Sequence, residues 1–195
     1  MSFMYNPFPF DDPKPVNRPE LSEKTVSSIV GGGTPNVAKT FAAPIIEKAR
    51  KKNQVVAFDG YTTVDWTVFL NLLARECAAA GIEFESADAN AECFKSGKEI
   101  DAMIDPMLIW DKKIDPTLLY GKIDKGGYEG MLDEEKTQAF EKKVSALGEG
   151  AGKVVAVFGY GVLIPRFRAL YDTKCFFDIT PKTSILRIRR GEYVN

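Results

Sequence analysis

Histidine is missing from all 195 residues of the chain. That absence removes Ser-His-Asp and Cys-His catalysis and every His-ligated zinc site. Cysteine is scarce: Cys77, Cys93 and Cys175 stand far apart with no C-x-x-C pair. Such spacing argues against a structural zinc or a redox dithiol, and free thiols suit a reducing compartment, here expected to be the cytoplasm. No charged n-region followed by an apolar core opens the chain, and no apolar run reaches membrane-spanning length. Neither sign of charge is in surplus, the net charge being −1, so no footprint for nucleic acid or a membrane surface is expected. What is present is the composition of an ordinary globular protein, 45% hydrophobic and 27% charged. A chain of this length buries roughly 70% of its unfolded surface and needs no staples. One α/β domain is expected, over 35–195, behind an arm over 1–34.

The arm is dense in proline and aromatic residues, Met1–Glu20 carrying Phe3, Tyr5, Phe8 and Phe10. Its prolines deny it regular structure, and its apolar rings favour an extended path over the domain surface; the competing reading is a docking arm. A short strand is expected at Ser27–Val30, then Gly31-Gly32-Gly33 as a flexible turn or an anion-binding nest. Thr34-Pro35 reads as cap and first residue of a helix to about Lys52, kinked at Pro44. Val55–Phe58 reads as a strand, and the apolar stripe through Phe69, Leu72, Leu73 and Cys77 as a helix ending near Gly81. Ile82–Ala87 is a second strand, and the β-α-β order predicts a parallel pair. Residues 91–133 form an irregular insertion, in which the repeated Ile-Asp-Pro at Ile104 and Ile114 suggests two hairpin strands. Helix 133–147, the apolar strand Val154–Phe158, a sharp Gly159-Tyr160-Gly161 turn, a short helix at Pro165–Tyr171, a buried strand Lys174–Ile179 and a helical or extended Pro181–Arg190 complete the chain. The acids Asp101, Asp105, Asp111 and Asp115 read as turn residues, with an oxygen-rich cation site as the alternative.

The chemistry gathers between Val55 and Arg75. There the eight residues Gly60 to Thr67, through Thr62, Thr63 and Asp65, overlay the G-x-x-x-x-G-K-[ST] frame of a phosphate-cradling loop between strand and helix. Asp65 replaces its second glycine and Trp66 its lysine. With Glu85–Phe94, which carries Asp88, and with Val154–Gly191, this layout resembles the P-loop nucleoside and nucleotide monophosphate kinases of the uridine and cytidylate type. The resemblance implies a three-layer α/β P-loop kinase-type fold with a mostly parallel central sheet. It implies Mg-ATP as cofactor, Thr67 as magnesium ligand, Asp88 as the base for the acceptor hydroxyl, and Arg187 and Arg190 on phosphate.

The departures weaken that chemistry. Trp66 donates no charge, and Asp65 would repel the phosphates it should cradle; one lost electrostatic donor typically costs ~10²–10³ in rate. Phe158 stands where a Walker-B acid belongs. Trp66 has two readings, packing as core or stacking on a base or sugar. Asp88 is either a ligand carboxylate at a strand end or a helix cap, and Arg166, Arg168, Arg187, Arg189 and Arg190 are either phosphate ligands or surface charge. The chain also resembles the N-terminal region of long bacterial class I mannose-6-phosphate isomerases, through its opening arm, Asp115–Gly121 and Arg189–Asn195. That likeness implies a nucleotide or sugar phosphate as ligand and a cupin isomerase domain as partner. The expected function is therefore a degenerate, non-catalytic nucleotide- or phosphate-binding or regulatory module, with a non-standard ATP-dependent phosphotransferase as the alternative.

Overall fold

The computed structural model describes residues 22–28, 33–61, 63–115, 121–122 and 125–192. The arm over 1–20, Gly31 and Gly32, Thr62 and residues 116–118 of the second Ile-Asp-Pro echo lie outside them, while Ile114 of that echo sits in a turn closed by its amide on the Asp111 carbonyl. The described chain is a three-layer α/β fold. Four parallel strands, β1 (Gln54–Gly60), β2 (Glu83–Asp88), β3 (Lys153–Phe158) and β4 (Thr173–Phe177), lie in the order β2-β3-β1-β4. β1 and β3 form the centre, with Val55 opposite Val155 and Phe58 opposite Phe158. Both central strands read as near-continuous apolar runs because helices cover both of their faces.

On one face, α2 (Gly33–Ala49) and α3 (Trp66–Ala79) bury Ala42, Ile45, Phe69 and Leu73 against Val56 and Phe58. On the other face, α7 (Glu134–Leu147) buries Phe140 and Val144 against Val55, Val155 and Val157. Phe58, fully buried, touches the rings of Phe41, Phe69 and Phe177 at centroid distances of 5.5–5.8 Å. Among the described residues no helix is long and apolar enough to cross a membrane.

Several local expectations are corrected. Ser27 and Ser28 belong to a helix, α1 (Glu23–Ser28), with an acid in its first turn, not to a strand. α2 starts at Gly33, ahead of Thr34, and runs on through Pro44. Ile104 does not open a hairpin strand: it ends a helix, α5 (Gly97–Ile104), and Asp105–Met107 continue as a 3-10 turn. The decisive signal is Ser96-x-x-Glu99, a reciprocal capping box in which each side chain takes the other's backbone amide. Short helices α4 (Ala89–Cys93) and α6 (Gly127–Gly130) flank this region. Pro165–Tyr171 reduces to a 3-10 turn at Arg168–Leu170. β4 is an edge strand, half covered rather than buried, with Phe176 62% exposed. α8 (Pro181–Arg189) resolves the last ambiguity in favour of helix, with Thr180 as its cap.

One ion cluster fastens α7 to the turn after β3. Arg166 donates to Glu134 through Nη1 (2.7 Å) and Nη2 and to Glu141 through Nε (2.7 Å), a forked arrangement only guanidinium can make. Hydrogen bonds from Arg166 and then Gln138 hold the Glu134 carboxyl down from its ordinary 4.5 to about 2. A carboxyl depressed in the folded state contributes stability that is complete above about pH 4.5 and is lost as pH falls toward 2. Urea midpoints measured across this window should fall for the native chain, and Arg166→Ala should flatten that acid limb while lowering the neutral-pH midpoint slightly. An unchanged limb would show that Glu134 is not held by Arg166.

Candidate functional site

In the order β2-β3-β1-β4, the chain leaves β1 toward β2 and leaves β3 toward β4, on opposite sides of the sheet centre. The strand ends at Gly60 and Phe158 therefore flank a topological switch point, where open α/β sheets take their ligands.

Asp59 stitches that point together. Its carboxylate is buried and accepts from three backbone amides: Gly60 (2.8 Å), Gly161 (3.1 Å) and Leu163 (3.0 Å). Across the gap, Asn90 at the start of α4 both accepts from the Tyr160 amide (2.7 Å) and donates to the Tyr160 carbonyl (2.9 Å). This approach requires a glycine next door, because a Cβ on Gly159 would fall 2.5 Å from Asn90 Oδ1. The turn after β3 is thus held by β1 on one side and by α4 on the other.

The loop from β1 to α3 is closed by side chains. Trp66, 9% exposed, packs against Phe177, Phe158 and Tyr160 at centroid distances of 5.3, 6.2 and 6.3 Å. Its indole also roofs Gly60, where an added Cβ would meet Trp66 Cη2 at 2.8 Å and Val64 Cγ2 at 3.0 Å. Asp65 caps α3, accepting from the Thr67 amide at 2.9 Å. Thr63 adopts a positive φ of 76°, costly for a β-branched residue, and its buried hydroxyl has no partner among the described residues. Its amide donates to the Tyr160 hydroxyl (3.0 Å), and its carbonyl accepts from the Arg187 guanidinium. The inner side of this loop, filled by an indole and a valine and flanked by a carboxylate, does not fit a triphosphate.

Thr67 is exposed on the first turn of α3. Arg187 reaches the loop, but through a backbone carbonyl, and Arg190 stays exposed beside Glu192 at 3.6 Å. The residues expected to bind phosphate are therefore spread out: Asp65 and Arg187 line one cleft with Phe177 and Asp178, Gly60 lines a second, and Trp66 and Asp88 line a third. Among the described residues no three Cys, Asp or Glu side chains converge as a metal site requires.

The third cleft, about 380 Å³, opens at the ends of β2 and β3. Trp66, Phe94, Tyr128 and Tyr160 surround Asp88 there. Asp88 caps α4 through Oδ1, which accepts from the amides of Asn90 (2.9 Å) and Ala91 (3.1 Å). Tyr128 leans on Gly161, stands 6.5 Å from Phe94, and separates this cleft from the second one, of about 560 Å³. Burial first, then the nearby Asp59 and Tyr160, raises the Tyr128 hydroxyl above its ordinary range, so it remains a neutral donor. Asp59, Asn90, Tyr128 and Tyr160 were not expected as site residues; the Asp-Gly step ending β1 and the glycine on each side of Tyr160 marked two of them as turn residues, and Asn90 and Tyr128 carried no local signal. Burial likewise pushes the Cys77 thiol up to about 11 and the Cys93 thiol to about 12, where neither is nucleophilic.

No curated protein sequence matches the chain significantly. Among solved structures, Rif2 of Saccharomyces cerevisiae is 11% identical with a TM-score of 0.38, the match covering 75% of this chain and 59% of that one. A Rif2 in complex with the C-terminal domain of Rap1 gives 11% identity and a TM-score of 0.39, over 75% of this chain and 57% of that one. The chain spans less than two thirds of the length of either. The family described as Domain of unknown function (DUF8485) matches residues 39–195, and the chain belongs to that family.

Proposed function

We propose that the chain is a non-catalytic binding module of degenerate P-loop-kinase type, which takes a hydroxyl-bearing ring, a nucleoside or a sugar with or without its phosphate, in the cleft around Asp88. The observation that carries this reading is the position of Trp66. Its indole fills the loop that a phosphate would need and contributes to the lining of the Asp88 cleft. Aromatic faces there offer stacking, and a carboxylate among them offers a charged acceptor for hydroxyls. The cation that reaches the loop, Arg187, is engaged by the Thr63 carbonyl, and electrostatic stabilisation of the transferring group is the main service phosphoryl-transfer enzymes provide. The resemblance to isomerase N-terminal regions makes sugar phosphates the first ligands to test and a regulatory or assembly role beside such an enzyme the proposed setting. Three unpaired thiols fit the cytoplasm as the compartment.

Trp66 supplies the readout. In a Trp110→Phe background its emission should change saturably with one nucleoside or sugar phosphate, without consumption of Mg-ATP. Asp88→Asn, which keeps the helix cap, should weaken that binding about ten- to a hundredfold, as loss of a charged hydrogen bond does. ATP-dependent quenching with turnover would establish the phosphotransferase instead. Silence with every ligand would overturn the binding reading and leave an architectural domain.

A further inference from the structure

Apart from the cleft, α8 leaves a set of apolar side chains uncovered by the described residues. α8 buries only Ser184 among its nine residues, while Ile185, Leu186 and Ile188 are 51%, 38% and 55% exposed. Soluble surfaces carry single exposed apolar residues freely, but three within four positions of one helix form a patch that water penalises. The helix is also one-sided in charge. From Pro181 to Arg190 it carries Lys182, Arg187, Arg189 and Arg190 and no carboxylate. Helical spacing sorts these residues. Ser184 and Arg187, three apart, share the face toward the body, where Arg187 donates to the Thr63 carbonyl. Lys182, Ile185, Leu186 and Arg189 are mutual neighbours at three and four residues on the outer face, with Ile188 beside them.

We propose that the outer face of α8 is a docking surface for a partner protein that presents an apolar groove with an acidic rim. Apolar anchors at i, i+3 and flanking cations are what a helix-in-groove contact reads, and an acidic rim is the complement of the outward Lys182 and Arg189. A second copy pairing α8 with α8 would set those cations against their own kind, a costly juxtaposition. A membrane surface is the poorer fit. The helix has only nine residues and no Trp or Phe, and Arg187 ties it to the folded body rather than to an interface plane.

The test places a photocrosslinking phenylalanine at position 185 of the full chain in its own cells and identifies the adduct by mass spectrometry. The expected result is one protein, crosslinked through an acidic segment. Its affinity for the purified chain should fall about tenfold or more with Arg189→Glu/Arg190→Glu and weaken with rising salt, as exposed charge pairs do. Lys142→Glu on α7 should leave it unchanged. Circular dichroism of the double variant should match the native chain, since both arginines are exposed. The proposal is overturned by an adduct confined to this chain or its own copies, by a lipid adduct with binding to equimolar phosphatidylserine–phosphatidylcholine vesicles, by a protein adduct indifferent to charge reversal, or by no adduct at all.

Discussion

Asp59→Ala is expected to lose about 3–5 kcal/mol of folding stability, because it strands three amide donors at once, two buried and one half-buried, each costing roughly 1–3 kcal/mol when left unmade. The carboxylate of Asp59 is the shared acceptor for Gly60, Gly161 and Leu163, so one substitution unties β1 from the turn after β3. A domain of ordinary stability holds about 5–15 kcal/mol in all, so the variant should stand close to unfolding at room temperature. Asp59→Asn keeps one carbonyl acceptor but turns an amide donor toward another donor, and should fall between the two. Urea denaturation of the three proteins gives the order native, Asn, Ala in midpoint. A native midpoint for Asp59→Ala would mean that the three amides find other partners and that Asp59 does not organise the switch point.

Trp66→Ala should cost a similar amount, about 3–5 kcal/mol, the range for removing a large aromatic from a core. The indole touches Phe158, Tyr160 and Phe177 and covers Gly60, and nothing adjacent can collapse to fill its volume without moving β3 or β4. Two readings of this residue diverge here. A tryptophan kept for a ligand alone would be replaceable at little cost to the unliganded protein. A tryptophan that plugs the loop would not, and Trp66→Phe should recover part of the loss while Trp66→Lys should recover none. Differential unfolding without ligand separates them, and a Trp66→Lys protein as stable as the native chain would contradict the plug.

The centre of the sheet was legible in the sequence because β1 and β3 are short apolar runs followed by glycine, and Val154–Phe158 could hardly be anything but a central strand. Helix α7 was equally legible from its periodicity, with Asp133 as cap. The insertion was not, because its elements are a few residues long and are fixed by caps rather than by a stripe; Ser96 and Glu99 specify α5 by two reciprocal hydrogen bonds, not by hydrophobic period. β4 was misjudged for a different reason. Lys174-Cys175-Phe176-Phe177 looks buried by composition, but edge position depends on strand order, which no local pattern records. The candidate site divides in the same way. Gly60, Trp66 and Asp88 could be placed by analogy along the chain, whereas the clamp of Asn90 on Tyr160 joins residues 70 apart and emerges only from folding. Arg187 shows the limit of charge as a guide: its guanidinium serves a backbone carbonyl of the loop, a role that composition cannot distinguish from phosphate binding.

We propose that this loop is a packed joint rather than a phosphate clamp. It is tested most directly by following γ-labelled Mg-ATP with the purified chain and a panel of nucleosides, sugars and sugar phosphates. The account predicts no labelled product above the protein-free blank with any acceptor, from a chain whose Trp66 emission nonetheless reports ligand in the Asp88 cleft. Transfer of label to any acceptor, abolished by Asp88→Asn, would contradict it.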